Sequence, residues 1–294
     1  LASNRFGMST TRPTSTSCGQ PSTSGWPNRP ATFPPPGPRG HVPTTLLGRA
    51  GYYMTDLSAP IVAGTYPAAI ASAHCALSGA KELTKDKRPT TEVTSSSFVL
   101  RPSSVFALCR PPGHHAGHAN CAGYCYLNNA AIAAHWLTQF GRVAILDIDY
   151  HAGNGTQDIF YQRADVLTLS IHADPDFEYP YYSGYAEQTG AGEGLGFHQN
   201  YPLPLGTDDK TYLAILEKAL ERVSAFRPSS LVISAGMDIY GEDPLGQIRI
   251  TREGIRQIGV VISGLKLPTL IVMEGGYNNE ALGLNVCAFL EAFH

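Results

Sequence analysis

The sequence predicts an α/β fold in which helices cover both faces of a parallel sheet, and two observations support this class. The first is a set of short runs that are too uniformly apolar for a sheet with one face in water. They are VFALC at Val105, VAIL at Val143, VLTLSI at Val166, LVISA at Leu231 and LIVM at Leu270. The second is that helix-length amphipathic segments lie between several of these runs, because strands that alternate with helices form parallel sheets.

Three segments carry the helical prediction. They are NNAAIAAHWLTQF from Asn128, DDKTYLAILEKALERVSAF from Asp208 and TREGIRQIGVVISGL from Thr251. Thr251 is a suitable helix cap, since its hydroxyl can accept a hydrogen bond from a backbone N–H group that the first turn leaves unpaired. We therefore expect helices to begin close to these three positions.

Composition narrows the class of protein. The chain has 294 residues, a formal net charge of −3 and no large basic patch, which argues against nucleic acid as the main partner. No apolar run approaches the roughly 18 residues that span a bilayer. The amino-terminal residues lack the basic-then-apolar order of a signal peptide. We therefore expect a cytoplasmic protein that binds neither nucleic acid nor membrane.

Six cysteines are scattered along the chain, at positions 18, 75, 109, 121, 125 and 287. A chain of this size does not need disulfide bonds to stabilise a small core, so free thiols are expected. Cys121 and Cys125 are four residues apart, and no second pair completes a four-ligand zinc knuckle. A structural zinc site is therefore not expected at these cysteines.

Two regions of the chain differ in composition. Residues 1–44 are rich in Ser, Thr, Pro and Gly and show neither helical nor strand periodicity, which predicts an irregular arm that cannot fold alone. The apolar signal of residues 45–294 runs to the end without an internal linker. One domain is expected there, since α/β domains commonly reach this size.

Reactive side chains follow four of the apolar runs, at the end where each strand would stop. VFALC leads to RPPGHH, VAIL to DIDYH, LVISA to GMD and LIVM to EGGY. Parallel strands place their carboxyl ends on one edge of the sheet, and ligands bind outside that edge. The residues expected to share one pocket are His114, His115, Asp147, Asp149, His151, Asp238 and Tyr277.

The carboxylates and the imidazole that follow VAIL and LVISA suggest a metal site. Asp149 and His151 are two residues apart, so on an extended segment they point the same way, and Asp238 can add a third ligand. Two carboxylates and one imidazole, with no thiolate, suit a catalytic Zn²⁺ or Fe²⁺ ion that keeps open positions. Taken singly, an Asp after a strand is more often a solvated charge or a helix cap, but the convergent set with two histidines favours a metal.

Four motifs resemble the signature blocks of the histone deacetylase and acetylpolyamine amidohydrolase family. They are RPPGHHAGHANCAGYCYLNNAAIAA, ILDIDYHAGNGTQDIFY, SAGMDIYGEDPLG and MEGGYN. Two further segments, which begin at Gly48 and Tyr179, are most similar to the bacterial acetylpolyamine amidohydrolases. The resemblance implies an arginase-like, three-layer α/β/α fold around an eight-stranded parallel sheet. It also implies that residues 45–294 form a zinc-dependent catalytic domain that hydrolyses N-acetyl amides, and that a homodimer is possible.

The resemblance assigns roles to the residues of the expected pocket. Asp149, His151 and Asp238 match the family's zinc ligands. His115 matches its general base, and Asn154 stands where the family places the partner of that base. The remaining catalytic assignments are His114, which tunes charge, Asp147, which orients His114, and Tyr277, whose hydroxyl would donate to the developing oxyanion.

The resemblance also suggests substrate-binding residues and a second metal. The residues along the substrate channel would be Gly123, Tyr124, Tyr182 and Leu245, and tyrosine rings favour an aliphatic stem with a cationic tail. Leu245 occupies a position where a polyamine-selective relative carries an acid. A structural potassium ion would be bound by Asp147, Asp149, His151, Ser170 and Ile171.

Three other classes of protein share this fold or these motifs. A two-manganese ureohydrolase of the same fold needs further carboxylates where this chain has Asn154 and Tyr240. A catalytically silent binding module would lack a metal ligand or the tyrosine, and none is missing. A protein-lysine deacetylase shares every catalytic residue, so the sequence leaves open whether the substrate is a small acetylated amine or acetyl-lysine.

Overall fold

The computed structural model describes residues 42–85 and 104–293. The predicted irregular arm, residues 1–44, lies outside the described residues except for its last three positions, and its character stays a prediction. The boundary between the arm and the domain, at residues 44 and 45, also stays a prediction.

The described residues form one sheet of six strands, all of them parallel to their neighbours. The spatial order is β1-β6-β5-β2-β3-β4. Its members in chain order are β1 (Ser104–Ala107), β2 (Val143–Asp147), β3 (Val166–Ala173), β4 (His198–Leu203), β5 (Ser230–Ala235) and β6 (Thr269–Met273). All five apolar runs lie within or overlap these strands, and β4 is the strand that the sequence prediction missed.

The expected number of eight strands is wrong for the described part of the chain, which has six. The number came from the family resemblance and not from this chain, whose own sequence offers five buried apolar runs. The apolar pattern did not predict the sixth strand, β4, because it forms an edge of the sheet, where a strand pairs on one side only and tolerates polar residues. The fold class itself, α/β with a parallel sheet, is confirmed.

Seven α-helices occur in the described residues. They are α1 (Leu46–Tyr53), α2 (Thr65–Leu83), α3 (Asn129–Leu137), α4 (Asn154–Phe160), α5 (Asp209–Phe226), α6 (Arg252–Ser263) and α7 (Leu282–Leu290). Three of them begin where the sequence predicted. The Asn128, Asp208 and Thr251 side chains each accept a hydrogen bond from the backbone N–H group three residues later, which satisfies a donor that the first turn leaves unpaired.

The core has two halves, one on each face of the sheet. Successive side chains of a strand point to opposite faces, and β2 shows this clearly: Ala144 and Leu146 belong to one buried cluster, Val143 and Ile145 to the other. Helices α5, α6 and α7 contribute to the first cluster, while α2 and α3 contribute to the second. The protein therefore has the predicted three layers, with the sheet between two layers of helices.

Two predictions from composition concern the membrane and the cysteines. Among the described helices, none combines the length and the apolar character that crossing a membrane requires. The five cysteines of the described residues are all free, as expected: Cys75, Cys109, Cys121, Cys125 and Cys287.

Candidate active site

The site lies at the carboxyl ends of the three central strands that the sequence linked to reactive residues. β6, β5 and β2 are neighbours in the sheet. The loops that follow them therefore leave the same edge side by side, although more than a hundred residues separate β2 from β6 in the chain. The turn after β1 joins them, because β1 is the other neighbour of β6. This proximity is what the parallel topology predicted.

Asp149, His151 and Asp238 converge into one group. Nδ1 of His151 lies 3.2 Å from Oδ1 of Asp149 and 3.1 Å from Oδ2 of Asp238. The backbone fixes both carboxylates, because Oδ2 of Asp149 accepts from the N–H of Gly275 (2.8 Å) and Oδ1 of Asp238 accepts from the N–H of Tyr150 (3.0 Å). The three side chains are held in place by loops from different strands.

Glycines make room for this group. A Cβ atom on Gly236 would lie 2.0 Å from Oδ2 of Asp149, and one on Gly275 would lie 2.4 Å from Oδ2 of Asp238. Backbone therefore approaches the two carboxylates more closely than any side chain would allow.

The chemistry of the group fits a divalent cation. One ligand atom from each of the three side chains lies within 4.8 Å of the others. Both carboxylates are fully buried. Burial raises the pKa of Asp238, and repulsion from Asp149 raises it further, to about 6. A cation among these oxygens would relieve that repulsion, and the mixed oxygen and nitrogen donors suit Zn²⁺.

The tandem histidines lie beside this group, and each has a different partner. Nδ1 of His114 is 3.0 Å from Oδ2 of Asp147, whereas Nδ1 of His115 is 2.7 Å from Oδ1 of Asn154. Both rings are buried, with centroids 4.0 Å apart. Because an amide oxygen only accepts hydrogen bonds, Nδ1 of His115 must donate, and Nε2 of that ring is left as its basic atom.

The two partners give the histidines opposite electrostatics. Burial lowers the pKa of His114, but the negative charges of Asp149 and Asp147 outweigh burial and raise this pKa well above its ordinary value. Burial also lowers the pKa of His115, and the positive charges of His114 and His151 lower it further. At neutral pH His114 is therefore the charged ring and His115 the neutral one, as a general base requires.

Tyr277 lies on the loop after β6, which two features hold in place. Oδ2 of the buried Asp243 accepts from the N–H groups of Tyr277 (2.7 Å) and Asn278 (3.0 Å). Gly276 has a φ of +132°, which L side chains rarely adopt. Burial raises the pKa of the Tyr277 phenol, so its hydroxyl stays protonated and can donate a hydrogen bond.

The residues predicted to bind substrate form a more exposed rim around the site. Tyr124, Tyr182 and Leu245 are 42%, 47% and 43% exposed. Gly123 lies against His115, because a Cβ atom on it would be 2.2 Å from Cδ2 of that ring. The rim also contacts a residue predicted to be catalytic, since Nδ2 of Asn154 donates to the Tyr182 hydroxyl over 2.8 Å.

Sequence reasoning missed two residues of the site, Tyr179 and Asp56. The Tyr179 ring stands edge-on to His115, with centroids 4.9 Å apart, and its hydroxyl donates to Oδ2 of Asp56 over 2.6 Å. The same oxygen accepts from the N–H of Gly123 (3.0 Å). Tyr179 begins one of the segments that resemble the bacterial amidohydrolases, but no signal gave it a role in the site. Asp56 lies in the loop between α1 and α2 and is distant in sequence from the four signature motifs.

The residues predicted to bind potassium lie at the ends of two adjacent strands. Asp147 of β2 pairs with Ser170 of β3. The Ser170 hydroxyl is 2.7 Å from Nδ1 of His172 and accepts from the N–H of Gly153 (3.4 Å). Ile171 follows Ser170 and is buried. These positions are compatible with a cation below the zinc-ligand loop, and the potassium site stays a prediction.

Comparisons with known proteins identify the family. Residues 38–293 match the histone deacetylase domain family. Acetylpolyamine amidohydrolase 2 of Pseudomonas aeruginosa is 48% identical over 253 residues, which cover 85% of this chain and 69% of that protein. Histone deacetylase 8 of Arabidopsis thaliana is 40% identical over 199 residues, which cover 64% of this chain and 52% of that protein.

A solved structure shares the fold. The crystal structure of acetylpolyamine aminohydrolase from Burkholderia pseudomallei superposes with a TM-score of 0.78 at 42% identity and covers 84% of this chain and 68% of that one. The chain therefore belongs to the histone deacetylase family. The predicted enzyme class, a deacetylase that hydrolyses amides, is confirmed by this membership.

Proposed function

We propose that this chain hydrolyses acetylated polyamines or other short acetylated amines, with zinc as its catalytic metal. The supporting observation is that the residues predicted as metal ligands, base, charged partner and phenol lie at one edge of the sheet, in a chain that is 48% identical to a protein named for acetylpolyamine hydrolysis. The match to that relative extends over 85% of this chain.

Asp149, His151 and Asp238 would hold the zinc ion. When bound there, zinc supplies a Lewis acid that polarises the acetyl carbonyl and lowers the pKa of the attacking water. The side chains of the chain itself must then move one proton and stabilise one negative charge.

His115 moves the proton. Its ring is neutral because burial and the neighbouring positive charge of His114 lower its pKa, and its hydrogen bond to Asn154 leaves Nε2 as the basic atom. Nε2 removes a proton from water as the nucleophile attacks, and the same atom later protonates the leaving amine nitrogen. The amine departs only after it is protonated, and His115 can deliver the proton that it took from water. One histidine can therefore serve as base in the first half of the reaction and as acid in the second.

His114 and Tyr277 provide the electrostatic stabilisation. His114 favours its charged form because the carboxylate of Asp147 raises its pKa, and Asp147 fixes its ring through Nδ1. The Tyr277 phenol remains protonated and donates to the oxyanion that forms on the acetyl carbonyl.

The rim supports a short cationic amine as substrate. Tyr124 and Tyr182 present rings against which an aliphatic stem packs, and a ring face attracts an ammonium group. Tyr179 places a further ring beside the predicted base, since it stands edge-on to His115 and lies 6.2 Å from the ring of His151. A thin, flexible acetylated amine suits the predicted channel that these rings would line.

A protein-lysine deacetylase is the second candidate. Two observations favour it: the chain shares 40% identity with a protein named histone deacetylase, and the rim residues are 42–47% exposed. Comparing kcat/KM for acetylputrescine with kcat/KM for an acetyl-lysine peptide separates the candidates. A preference for acetylputrescine supports the proposal, and a preference for the peptide reverses it.

The structural potassium ion belongs to the same proposal. Asp147, Asp149, His151, Ser170 and Ile171 would bind it with carboxylate, hydroxyl and main-chain oxygens, the hard donors that such a cation prefers. The register that pairs Asp147 with Ser170 supports this assignment. Comparing thermal stability in potassium and in a bulky organic cation at equal ionic strength tests it.

A further inference from the structure

Glu274 is a buried carboxyl group for which the proposed reaction has no use. It follows β6 directly, opens the EGGY motif and is 2% exposed. Burying a carboxyl group is costly unless its oxygens are paired. Its contacts therefore indicate what it does.

One of its two oxygens is committed to the histidine turn. Oε2 of Glu274 accepts from the N–H of Gly113 over 2.7 Å and from the N–H of His114 over 3.2 Å. These bonds connect the loop after β6 to the segment that carries both histidines. A side chain 160 residues away along the sequence thus holds the backbone of His114.

The same loop carries other parts of the site. The N–H of Gly275, the next residue, donates to Asp149, and Tyr277 lies three residues after Glu274. The Glu274 N–H donates to the carbonyl of Ala235 at the end of β5 (3.1 Å), so the backbone of Glu274 is fixed to the sheet. Glu274 therefore joins the histidine turn to the loop that supports a metal ligand and bears the phenol.

The histidine turn is also in close contact with the backbone at the start of α3. A Cβ atom on Gly113 would lie 2.4 Å from the N atom of Asn129 and 2.8 Å from the O atom of Leu127. The turn thus packs against the start of α3 and also hydrogen-bonds to Glu274. Losing the Glu274 acceptor would remove both of these hydrogen bonds to the loop that carries Tyr277.

Among the described residues, the second oxygen of Glu274 has no hydrogen-bond partner. Glu274 also lies near Cys125 and His114. One ligand atom from each of these three residues lies within 4.8 Å of the others, which could suggest a second metal site. Burial raises the pKa of the Cys125 thiol well above the ordinary value, which disfavours the thiolate that a metal needs and argues against that interpretation. The hydrogen bonds that Oε2 accepts from Gly113 and His114 therefore indicate the role of Glu274.

We propose that Glu274 is a positioning residue, whose side chain reaches from the EGGY loop to the backbone of Gly113 and His114 and sets the histidine pair relative to the metal ligands and Tyr277. This inference rests on the proposed deacetylase function. The role requires a hydrogen-bond acceptor at the end of a side chain as long as that of glutamate. It does not require a negative charge.

Two variants separate reach from charge. Glu274→Gln keeps the length and one acceptor oxygen, so it should retain kcat within about 3-fold of the wild-type value. Glu274→Asp keeps the carboxyl group but is shorter by one carbon–carbon bond, about 1.5 Å, so it cannot reach both N–H groups. A misplacement of about 1 Å can cost 100-fold in rate, and we expect kcat for acetylputrescine to fall by about 10- to 100-fold while KM changes by less than 3-fold.

Fold and metal content are measured for every variant by thermal melting and elemental analysis. Glu274→Met, which fills a similar volume without an acceptor, replaces the Asp variant if that protein is unfolded at the assay temperature, and the same loss of kcat is expected. Equal losses in the Gln and Asp variants, or wild-type kcat in the Asp variant, overturn the proposal. If only the Gln variant folds, Glu274 serves folding and the proposal is also overturned.

The wild-type protein separates this proposal from the proposed function. A zinc-loaded wild-type enzyme that cleaves no acetylated amine overturns the function. A wild-type enzyme that is active, accompanied by an equally active Asp variant, overturns only the positioning role.

Discussion

The centre of the site and its rim differ in how deeply their groups are buried. In the buried centre, Asp149 and Asp238 are fully buried, and the tandem histidines each have a hydrogen-bond partner. At the rim, Tyr124 and Leu245 are 42% and 43% exposed. The centre is therefore restricted to one arrangement, because leaving a buried polar group without a partner costs about 1 to 3 kcal/mol. The rim is under no such restriction.

This difference separates chemistry from selectivity. Changes in the centre should remove catalysis for every substrate, whereas changes at the rim should alter the ranking of substrates. Tyr182 is the exception, because its hydroxyl bonds to Asn154 and so connects the rim to the base. A clean test of the comparison therefore uses Tyr124 for the rim.

The largest expected effect is the removal of the metal. Exhaustive chelation should abolish deacetylation of acetylputrescine, since no side chain of the buried centre can replace a Lewis acid, and one equivalent of zinc should restore it. Activity and metal content are measured on the same sample. Turnover that survives in protein shown by elemental analysis to be metal-free would contradict the assignment of Asp149, His151 and Asp238.

The next largest effect is expected for Tyr277→Phe. The variant keeps the ring that packs near Tyr124 and removes one donor to the oxyanion, a loss that typically lowers kcat by about 100- to 1,000-fold. Tyr201→Phe is the matched control, because it removes a hydroxyl from a tyrosine on β4 and should leave kcat unchanged. A Tyr277→Phe enzyme as fast as this control would remove the phenol from the mechanism.

A smaller effect, visible mainly in its pH dependence, is expected for Asn154→Asp. A carboxylate against Nδ1 of His115 favours the charged ring and so raises its pKa, by about 1 unit or more for an adjacent opposite charge. The base works only when neutral, so the acidic limb of the kcat/KM profile should move to higher pH. At pH 7 we expect a loss of up to about 10-fold. An unchanged acidic limb would show that this limb does not report the titration of His115.

The sequence predicted which residues of the buried centre lie close together, because these residues follow the ends of strands. Apolar runs identified β2, β5 and β6, and the topology of a parallel sheet then brings the residues after them together. The pairing of Asn154 with His115 came from the resemblance, and the structure places their side-chain atoms 2.7 Å apart. The catalytic roles of these residues stay predictions until they are measured.

The features that the sequence did not reveal depend on contacts between distant segments. β4 contains His198, Gln199 and Asn200, so its polar composition hid an edge strand. Asp56 links Gly123 to Tyr179 across three segments, and no local pattern marks a single aspartate in a loop. Glu274 was visible as part of EGGY, but its bonds to the histidine turn require the packed fold.

The smallest expected effect concerns the rim. Tyr124→Ala removes a ring near the entrance, and an exposed ring-to-ammonium contact contributes about 0.5 to 1 kcal/mol, or roughly 2- to 5-fold in kcat/KM. The loss should appear for acetylputrescine and not for a neutral acetamide of equal length. Tyr66→Ala, which removes an exposed tyrosine of α2, is the control and should change neither substrate. If both substrates lose equally, Tyr124 shapes the passage without sensing charge, and the preference for cationic amines must reside elsewhere on the rim.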